Sequence, residues 1–344
     1  MKVVILAGGE GTRLRPLTEN RPKPLMPVAG RPCIEYVIRS LVKAGLKQQI
    51  ITAGYKAQMV KDALGDGSSL GASIEYSFED VPLGTAGAVK KVQSKLGGTF
   101  VVASGDVLAD VNVKTIVDFH KKKKAMATMA LTRVDDPSPF GIVGLNKAGQ
   151  VVKFKEKPRP EEVFSNLINA GIYVLEPEVL DLVPKGTKFD FSKDTFPQVL
   201  DKHPGKLFGR PIKGLWMDIG RPSDLLEANF RVIRKSGKKR TVNGRQFISA
   251  SIVDKSSLIS KATKVKGPCY FGPSSKVGGR CVLDTVAVYG KAIVEEATLT
   301  RCVILEGATV SPGAVLQNTI VGYGSVVGPG KVLKDQTVAD NIVL

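Results

Sequence analysis

From Val253 onward an apolar or β-branched residue returns at every sixth position, and this repeat restricts the fold more than any other feature of the chain. Val253, Ile259, Val265, Phe271, Val277 and Leu283 form one run, and Val303, Thr309, Val315, Val321, Val327 and Leu333 form a second. Glycine and proline punctuate the gaps, at Gly307, Pro312-Gly313, Gly322, Gly324 and Pro329-Gly330. Such a repeat is the mark of a hexapeptide parallel β-helix, in which each coil stacks an apolar residue inward at every corner. With three hexads per coil, residues 249–344 are expected to make roughly five coils. The two runs are out of phase by two residues, which predicts a loop or bulge between about 284 and 302.

Residues 1–235 read differently. Strand and helix signals alternate, which argues for a parallel or mixed α/β sheet. Strands are expected at 2–7, 49–53, 73–77, 99–104, 125–132 and 170–175. Helices are expected near 33–44, 56–64, 85–95, 112–123, 192–202 and 222–235. The basic stretch Arg234 to Arg240 reads as the start of a linker, so the expected division is 1–235, linker 236–248, and β-helix 249–344.

Within the α/β part the densest signal is the loop Gly8-Gly9-Glu10-Gly11-Thr12-Arg13-Leu14-Arg15-Pro16, which follows the apolar run Lys2 to Ala7. A glycine loop leaving the carboxyl end of a first strand is where open α/β sheets bind ligands. Without Cβ atoms, its N–H groups can approach phosphate oxygens closely. A Walker A loop is excluded because no Gly-Lys-Ser/Thr occurs here, and a dinucleotide fingerprint because Leu14 stands where its third glycine belongs. Arg13, Arg15 and Lys23 crowd the loop instead, which suits a triphosphate whose far end must leave.

Composition narrows the class. No apolar run approaches a membrane span, and the apolar start is too short for a signal peptide, so a cytoplasmic protein with no membrane partner is expected. Cys33, Cys269, Cys281 and Cys302 form no CxxC pair and have no His nearby, which points to reduced structural thiols. The net charge of +18 could attract nucleic acid. Its clusters at 121–124 and 231–240 carry no interleaved aromatics for base stacking, so nucleic acid is not expected as a partner.

Four further stretches stand out. Thr99 to Asp106 is an apolar strand ending in Gly-Asp, and Leu215-Trp216-Met217-Asp218-Ile219-Gly220 sets a second lone aspartate in apolar surroundings. Alone, each reads as a cap or turn residue. Brought together, they would make a hard oxygen site for Mg²⁺. Glu156-Lys157-Pro158 sets an acceptor beside a cation, and Asn169-Ala170-Gly171 pairs a polar side chain with bare backbone.

Leu6 to Thr18, Lys23-Pro-Leu-Met-Pro27, Pro82-Leu-Gly-Thr-Ala-Gly87, Ser104-Gly-Asp106, Glu156-Lys-Pro158, Asn169-Ala-Gly171 and Trp216-Met-Asp-Ile-Gly220 stand in the order seen in the sugar-1-phosphate nucleotidylyltransferases, and the chain resembles that family over essentially its whole length. The resemblance implies a Rossmann-like, GT-A-like domain with a mixed sheet, followed by a left-handed parallel β-helix. It implies the reaction NTP + sugar 1-phosphate → NDP-sugar + pyrophosphate, by in-line attack at the α-phosphorus. Carried onto this sequence, Arg13 and Lys23 hold the triphosphate and stabilise the transition state. Leu6, Ala7, Gly8, Gly9, Gly11 and Thr12, with Gly84, Thr85 and Gly87, hold the nucleoside. Gly141, Glu156, Asn169 and Gly171 face the sugar, Lys157 binds its phosphate, and Asp106 and Asp218 chelate Mg²⁺.

The chemistry explains the residue types. A phosphate oxygen is already a nucleophile, so no Ser, Cys or His is required. The obstacle is the approach of two polyanions, where one like-charge pair at about 4 Å costs on the order of 4 kcal/mol at an effective dielectric of about 20. Cations and a metal therefore supply most of the rate.

The loop Pro82 to Gly87 looks most like mannose-1-phosphate guanylyltransferases. Thymidylyl, uridylyl or adenylyl transfer onto glucose 1-phosphate is the alternative. A β-helix acyltransferase would want a His base, and 249–344 contains none. A non-catalytic regulatory relative would tend to lose the Arg, Lys or metal Asp retained here. The flat faces of the β-helix suit subunit contact, so a homo-oligomer is expected. Arg221 departs from the family, which usually has a small hydroxyl residue there. It reads either as solvent-facing or as an added phosphate contact.

Overall fold

Val3–Ala7 is buried at nearly every position because it runs through the middle of a mixed sheet covered on both faces. In the computed structural model, which describes residues 1–242 and 245–344 with backbone alone at 240, 242 and 245–248, it pairs in parallel with Gln48–Ala53 and Phe100–Ser104. Ser73–Phe78 extends that parallel side. On the other side Leu167–Leu175 runs antiparallel to Phe100–Ser104, Ala127–Arg133 runs antiparallel to Leu167–Leu175, and Leu207–Pro211 closes the edge in parallel. The hairpin Gly141–Leu145 with Val151–Glu156 joins through Ile142 opposite Ile168. A separate ribbon pairs Val107–Val111 with the strand Gly214–Asp218.

The helices are α1 (Cys33–Lys43), α2 (Ala57–Leu64), α3 (Gly84–Lys91), α4 (Lys114–Lys123), α5 (Phe196–Lys202) and α6 (Pro222–Ser236). In α1 the buried Ile34, Val37, Ile38 and Leu41 recur three and four apart, as a helix with one core face requires. Every expected strand and helix has its counterpart. Val107–Val111, the hairpin strands, Leu207–Pro211 and Gly214–Asp218 are additional strands. With Lys153 and Lys155 outward and little burial, Val151–Glu156 carries no clean apolar alternation.

By contact the chain forms two compact units, Met1–Glu10 with Cys33–Met217, and Gly11–Pro32 with Asp218–Leu344. This division differs from the expected one at 235. The second unit includes α6, whose buried Leu225, Leu226, Phe230 and Ile233 belong to a face packed on β-helix strands Cys269–Phe271, Val282–Val288 and Thr298–Ile304. The expected linker 236–248 is also corrected, because Lys238–Val242 and Arg245–Val253 pair as antiparallel strands. Residues 243–244 of that stretch lie outside the described residues.

The repeat region is a parallel β-helix. Its inward residues include Val253, Phe271, Val277, Leu283, Val288, Val294, Leu299, Ile304, Val310, Leu316, Val321, Val327, Leu333 and Val338. Full burial of each such side chain stabilises by about 1.5–3 kcal/mol. The bulge expected at 284–302 is replaced by shortened coils. Ser251 faces Cys269, Cys269 faces Val286 and Val286 faces Cys302, so successive coils take 18, 17 and 16 residues. Single-residue losses shift the phase without an interrupting loop. Ile304, Val310 and Leu316 consequently point inward where Val303, Thr309 and Val315 were expected.

Candidate active site

Lys23 and Asp218 form a close charged contact in the second unit. Lys23 Nζ lies 2.8 Å from Asp218 Oδ1, and Arg13 reaches Oδ2 from the other side at 3.3 Å. Local sequence builds this meeting. Gly11, at φ 66°, starts the short 3-10 turn Thr12–Leu14 that carries Arg13. A Cβ on Gly11 would fall 2.9 Å from that of Lys23, so glycine allows both the left-handed backbone and the close approach. Thr18 locks the loop by donating its hydroxyl to the Gly11 carbonyl at 2.9 Å. Lys23 opens a second 3-10 turn, Lys23–Leu25, between Pro22 and Pro24.

Asp218 ends its strand and is followed by the buried Ile219 and by Gly220, whose Cβ would fall 2.8 Å from Asp218 Oδ2 and 3.1 Å from Arg13 Cζ. The Lys23 side chain is 7% exposed and that of Arg13 57%. The ammonium is therefore buried beside the carboxylate, whereas more than half of the Arg13 side chain remains exposed. Arg221 caps α6 through its backbone, its N–H donating to Asp224 Oδ2 at 2.8 Å, while its side chain is exposed. Burial raises the Asp224 carboxyl above the usual range.

In the first unit the strand Val3–Ala7 delivers Gly8 and Gly9 at its carboxyl end. The Gly8 carbonyl accepts from Tyr55 N–H at 3.3 Å, and a Cβ on Gly9 would meet nothing within 4 Å. Gly9 is thus the open face of the loop. The Leu6 carbonyl accepts from Gly105 N–H at 2.8 Å, which ties the loop's base to the turn carrying the half-buried Asp106.

A polar cluster gathers the expected sugar-facing residues in the same unit. Glu156 pairs in register with Gly141, where a Cβ would fall 2.6 Å from Glu156 Oε2. Burial raises the Glu156 carboxyl above its usual range, with Lys157 and Lys193 pulling the other way. Asn169 donates to Tyr173 Oη at 2.9 Å and Ser192 Oγ at 3.1 Å, and its carbonyl accepts from Gly171 N–H at 3.0 Å. Burial pushes the Tyr173 hydroxyl up to about 12. Trp216 donates its indole N–H to the Ala170 carbonyl at 2.8 Å. Lys157 is exposed at φ 46°, and its N–H donates to the Phe140 carbonyl.

Sequence reasoning missed Tyr173, Ser192, Asp190 and Lys193 in this cluster, for which isolated polar residues gave no motif. Gly84, Thr85 and Gly87, expected against the nucleoside, make a set of contacts with residues 187–190. Thr85 donates its N–H and its hydroxyl to Asp190, both at 3.1 Å. A Cβ on Gly84 would fall 2.7 Å from the Phe189 carbonyl oxygen, and one on Gly87 2.6 Å from that of Thr187. These glycines let α3 close on the backbone of 187–189.

Among the described residues no three His, Cys, Asp or Glu side chains cluster as a metal cage. Magnesium needs none, since one or two carboxylates with waters and substrate phosphates hold it. Asp106 in the first unit and Asp218 in the second are each a hard oxygen donor of the kind magnesium takes.

The first unit thus carries a glycine loop with an open face and a polar cluster, and the second carries two cations on one carboxylate. Residues 2–235 match the Nucleotidyl transferase family model, and 265–343 match that of the GMPPB C-terminal domain. The chain belongs to the nucleotidyl transferase family. It is 35% identical over 297 residues to a mannose-1-phosphate guanylyltransferase of Mycobacterium tuberculosis, covering 85% of this chain and 82% of the relative. It is 31% identical to a UTP–glucose-1-phosphate uridylyltransferase of Synechocystis, covering 90% and 81%. A crystal structure of a putative glucose-1-phosphate thymidylyltransferase from Bacillus anthracis superposes with a TM-score of 0.61 at 29% identity, over 67% of this chain and 94% of that one.

Proposed function

We propose that the chain transfers a guanylyl group from GTP to mannose 1-phosphate, giving GDP-mannose and pyrophosphate. The observation that carries the chemistry is the Lys23–Asp218–Arg13 centre. The choice of substrates is supported by several relatives named as mannose-1-phosphate guanylyltransferases and by the GMPPB C-terminal domain match.

In this reading a phosphate oxygen of the sugar phosphate attacks the α-phosphorus of the triphosphate. The bond from that phosphorus to the bridging oxygen breaks on the opposite side, and pyrophosphate leaves with the electron pair. Arg13 and Lys23 neutralise charge on the triphosphate as it builds toward the leaving group. The backbone of Leu6, Ala7, Gly8, Gly9, Gly11 and Thr12 holds the nucleotide. Glu156 and Asn169, with the backbone at Gly141 and Gly171, orient the sugar, and Lys157 meets its phosphate. Asp106 and Asp218 would hold magnesium, whose charge would offset that of the phosphates. Thr85, Gly84 and Gly87 shape the nucleoside side by fixing α3.

The test is a grid of ATP, GTP, UTP and dTTP against mannose and glucose 1-phosphates, scored by pyrophosphate release. GTP with mannose 1-phosphate should give the highest kcat/KM. A preference for a glucose 1-phosphate pair would replace the substrate assignment, and no release with any pair would remove the reaction. No helix among the described residues is long and apolar enough to cross a membrane. We also assign self-association to the β-helix, where Val315 and Val332 are exposed. Light scattering that gives a monomer would exclude it.

A further inference from the structure

Two residues before Lys23, Arg21 lays its guanidinium against the ring of Tyr323, with Cζ 3.3 Å from the ring centroid. The same group faces the Asp340 carboxylate at 3.6 Å, and Asn20 donates to that carboxylate at 3.4 Å. Both partners sit near the end of the β-helix and hold one another. Tyr323 N–H donates to Asp340 Oδ1 at 3.0 Å, and Asn341 N–H donates to the Tyr323 carbonyl at 2.8 Å. The contact is shielded, the Asp340 side chain being 3% exposed.

A second tether lies downstream. Ala29 N–H donates to Asn229 Oδ1 at 2.8 Å, and the Tyr289 hydroxyl donates to the same oxygen at 2.6 Å. Gly30 rests against Tyr270, whose hydroxyl lies 2.5 Å from where a Cβ would fall. Between the tethers runs Pro22-Lys23-Pro24. Both proline rings fix φ, so the turn has little torsional slack with which to absorb a shift at Arg21.

We propose that Arg21, clamped by Tyr323 and Asp340, is a positioning residue that holds Lys23 in place for phosphoryl transfer, which makes the terminal part of the β-helix a support of the active site. The inference rests on the reaction proposed above. A planar guanidinium stacked on a ring is not reproduced by lysine or alanine, and a misplacement of about 1 Å in a positioned group can cost about 100-fold in rate.

The test compares wild type with Arg21→Ala, Tyr323→Leu, Tyr323→Phe and the Arg21→Ala/Tyr323→Leu double variant, assayed below the unfolding midpoint of each. Arg21→Ala and Tyr323→Leu should each lower kcat by about 10- to 100-fold, with KM changed by less than about threefold. Tyr323→Phe keeps the ring and should keep kcat within about threefold of wild type. The double variant should lose no more than the worse single variant, because both break one clamp. Wild-type kcat in Arg21→Ala, or losses that multiply in the double variant, would overturn the proposal. Acetylation of Lys23 followed by mass spectrometry requires no turnover: it should proceed about tenfold faster in Arg21→Ala if the clamp holds the buried ammonium in place. An unchanged rate overturns the clamp even if the assigned reaction proves wrong, whereas wild type inactive with every substrate pair removes the reaction alone.

Discussion

The ammonium of Lys23 sits 2.8 Å from the carboxylate of Asp218, although 195 residues separate them in the chain. Two groups assigned to different tasks, one to a polyphosphate and one to a metal, thus form one ion pair, so any contact of Lys23 with phosphate competes with Asp218.

Removing the ammonium should abolish turnover while sparing the fold. Lys23→Ala should lower kcat by at least about 100-fold, the scale of a lost transition-state charge contact. Arg13 still faces Asp218 Oδ2, so the carboxylate keeps one partner. The stability cost is therefore about 2 kcal/mol, a few degrees in Tm. Pyrophosphate release and a thermal melt of the same sample check both halves.

The two aspartates assigned to magnesium should behave differently when the metal is withdrawn. Asp106→Asn and Asp218→Asn should each lower kcat by about 100-fold or more and raise the magnesium needed for half-maximal rate. In chelator, however, Asp218→Asn should bind GTP more tightly than wild type by about tenfold, because a like charge is gone and Lys23 and Arg13 are released. Calorimetric titration in EDTA measures this, and weaker binding would mean that Asp218 does not compete for those cations.

Much of this was legible in the chain because its signals are local. The six-residue repeat fixed the β-helix through Leu283, and the apolar runs at 2–7 and 99–104 marked central strands. Coil shortening was not legible, since a side that loses one residue leaves a sequence still rich in Val and Leu at both phases. At the site, Arg13, Lys23 and Asp218 announced themselves through motifs. Asp190 and Tyr173 did not, because their function is to hold Thr85 and Asn169, and that depends on which backbones the fold brings together. Arg21 lies between the motifs Leu6 to Thr18 and Lys23 to Pro27 and carries no local signal, as its partners are about 300 residues away.

Two loop glycines that look alike in sequence should separate on substitution. Gly11→Ala places a Cβ 2.9 Å from that of Lys23 at φ 66°, and should cost about 1–3 kcal/mol as well as displace the ammonium. Gly9→Ala meets nothing within 4 Å and should leave Tm unchanged. If the Gly9 backbone approaches phosphate as assigned, Gly9→Ala should nonetheless raise KM for the nucleotide severalfold. Melting and steady-state kinetics on the pair distinguish a folding glycine from a binding one.

The Glu156 carboxyl gives a pH-dependent prediction. Burial raises its folded pKa above the unfolded value, against the opposing pull of Lys157 and Lys193. The protonated form is thus favoured by folding: its contribution is full below the ordinary carboxylate range and is lost as pH rises through the folded value. Glu156→Gln should therefore be more stable than wild type at neutral pH and show no such advantage at pH well below the carboxylate range, where wild type is itself uncharged at this position. Since the ionised carboxylate is assigned to accept from a sugar hydroxyl, the same variant should raise KM for the sugar phosphate and leave KM for the nucleotide nearly unchanged. Thermal melts at acid and neutral pH, with KM measured for each substrate, test both. A variant equally or less stable at neutral pH would show that Glu156 does not carry a desolvation penalty in the folded protein.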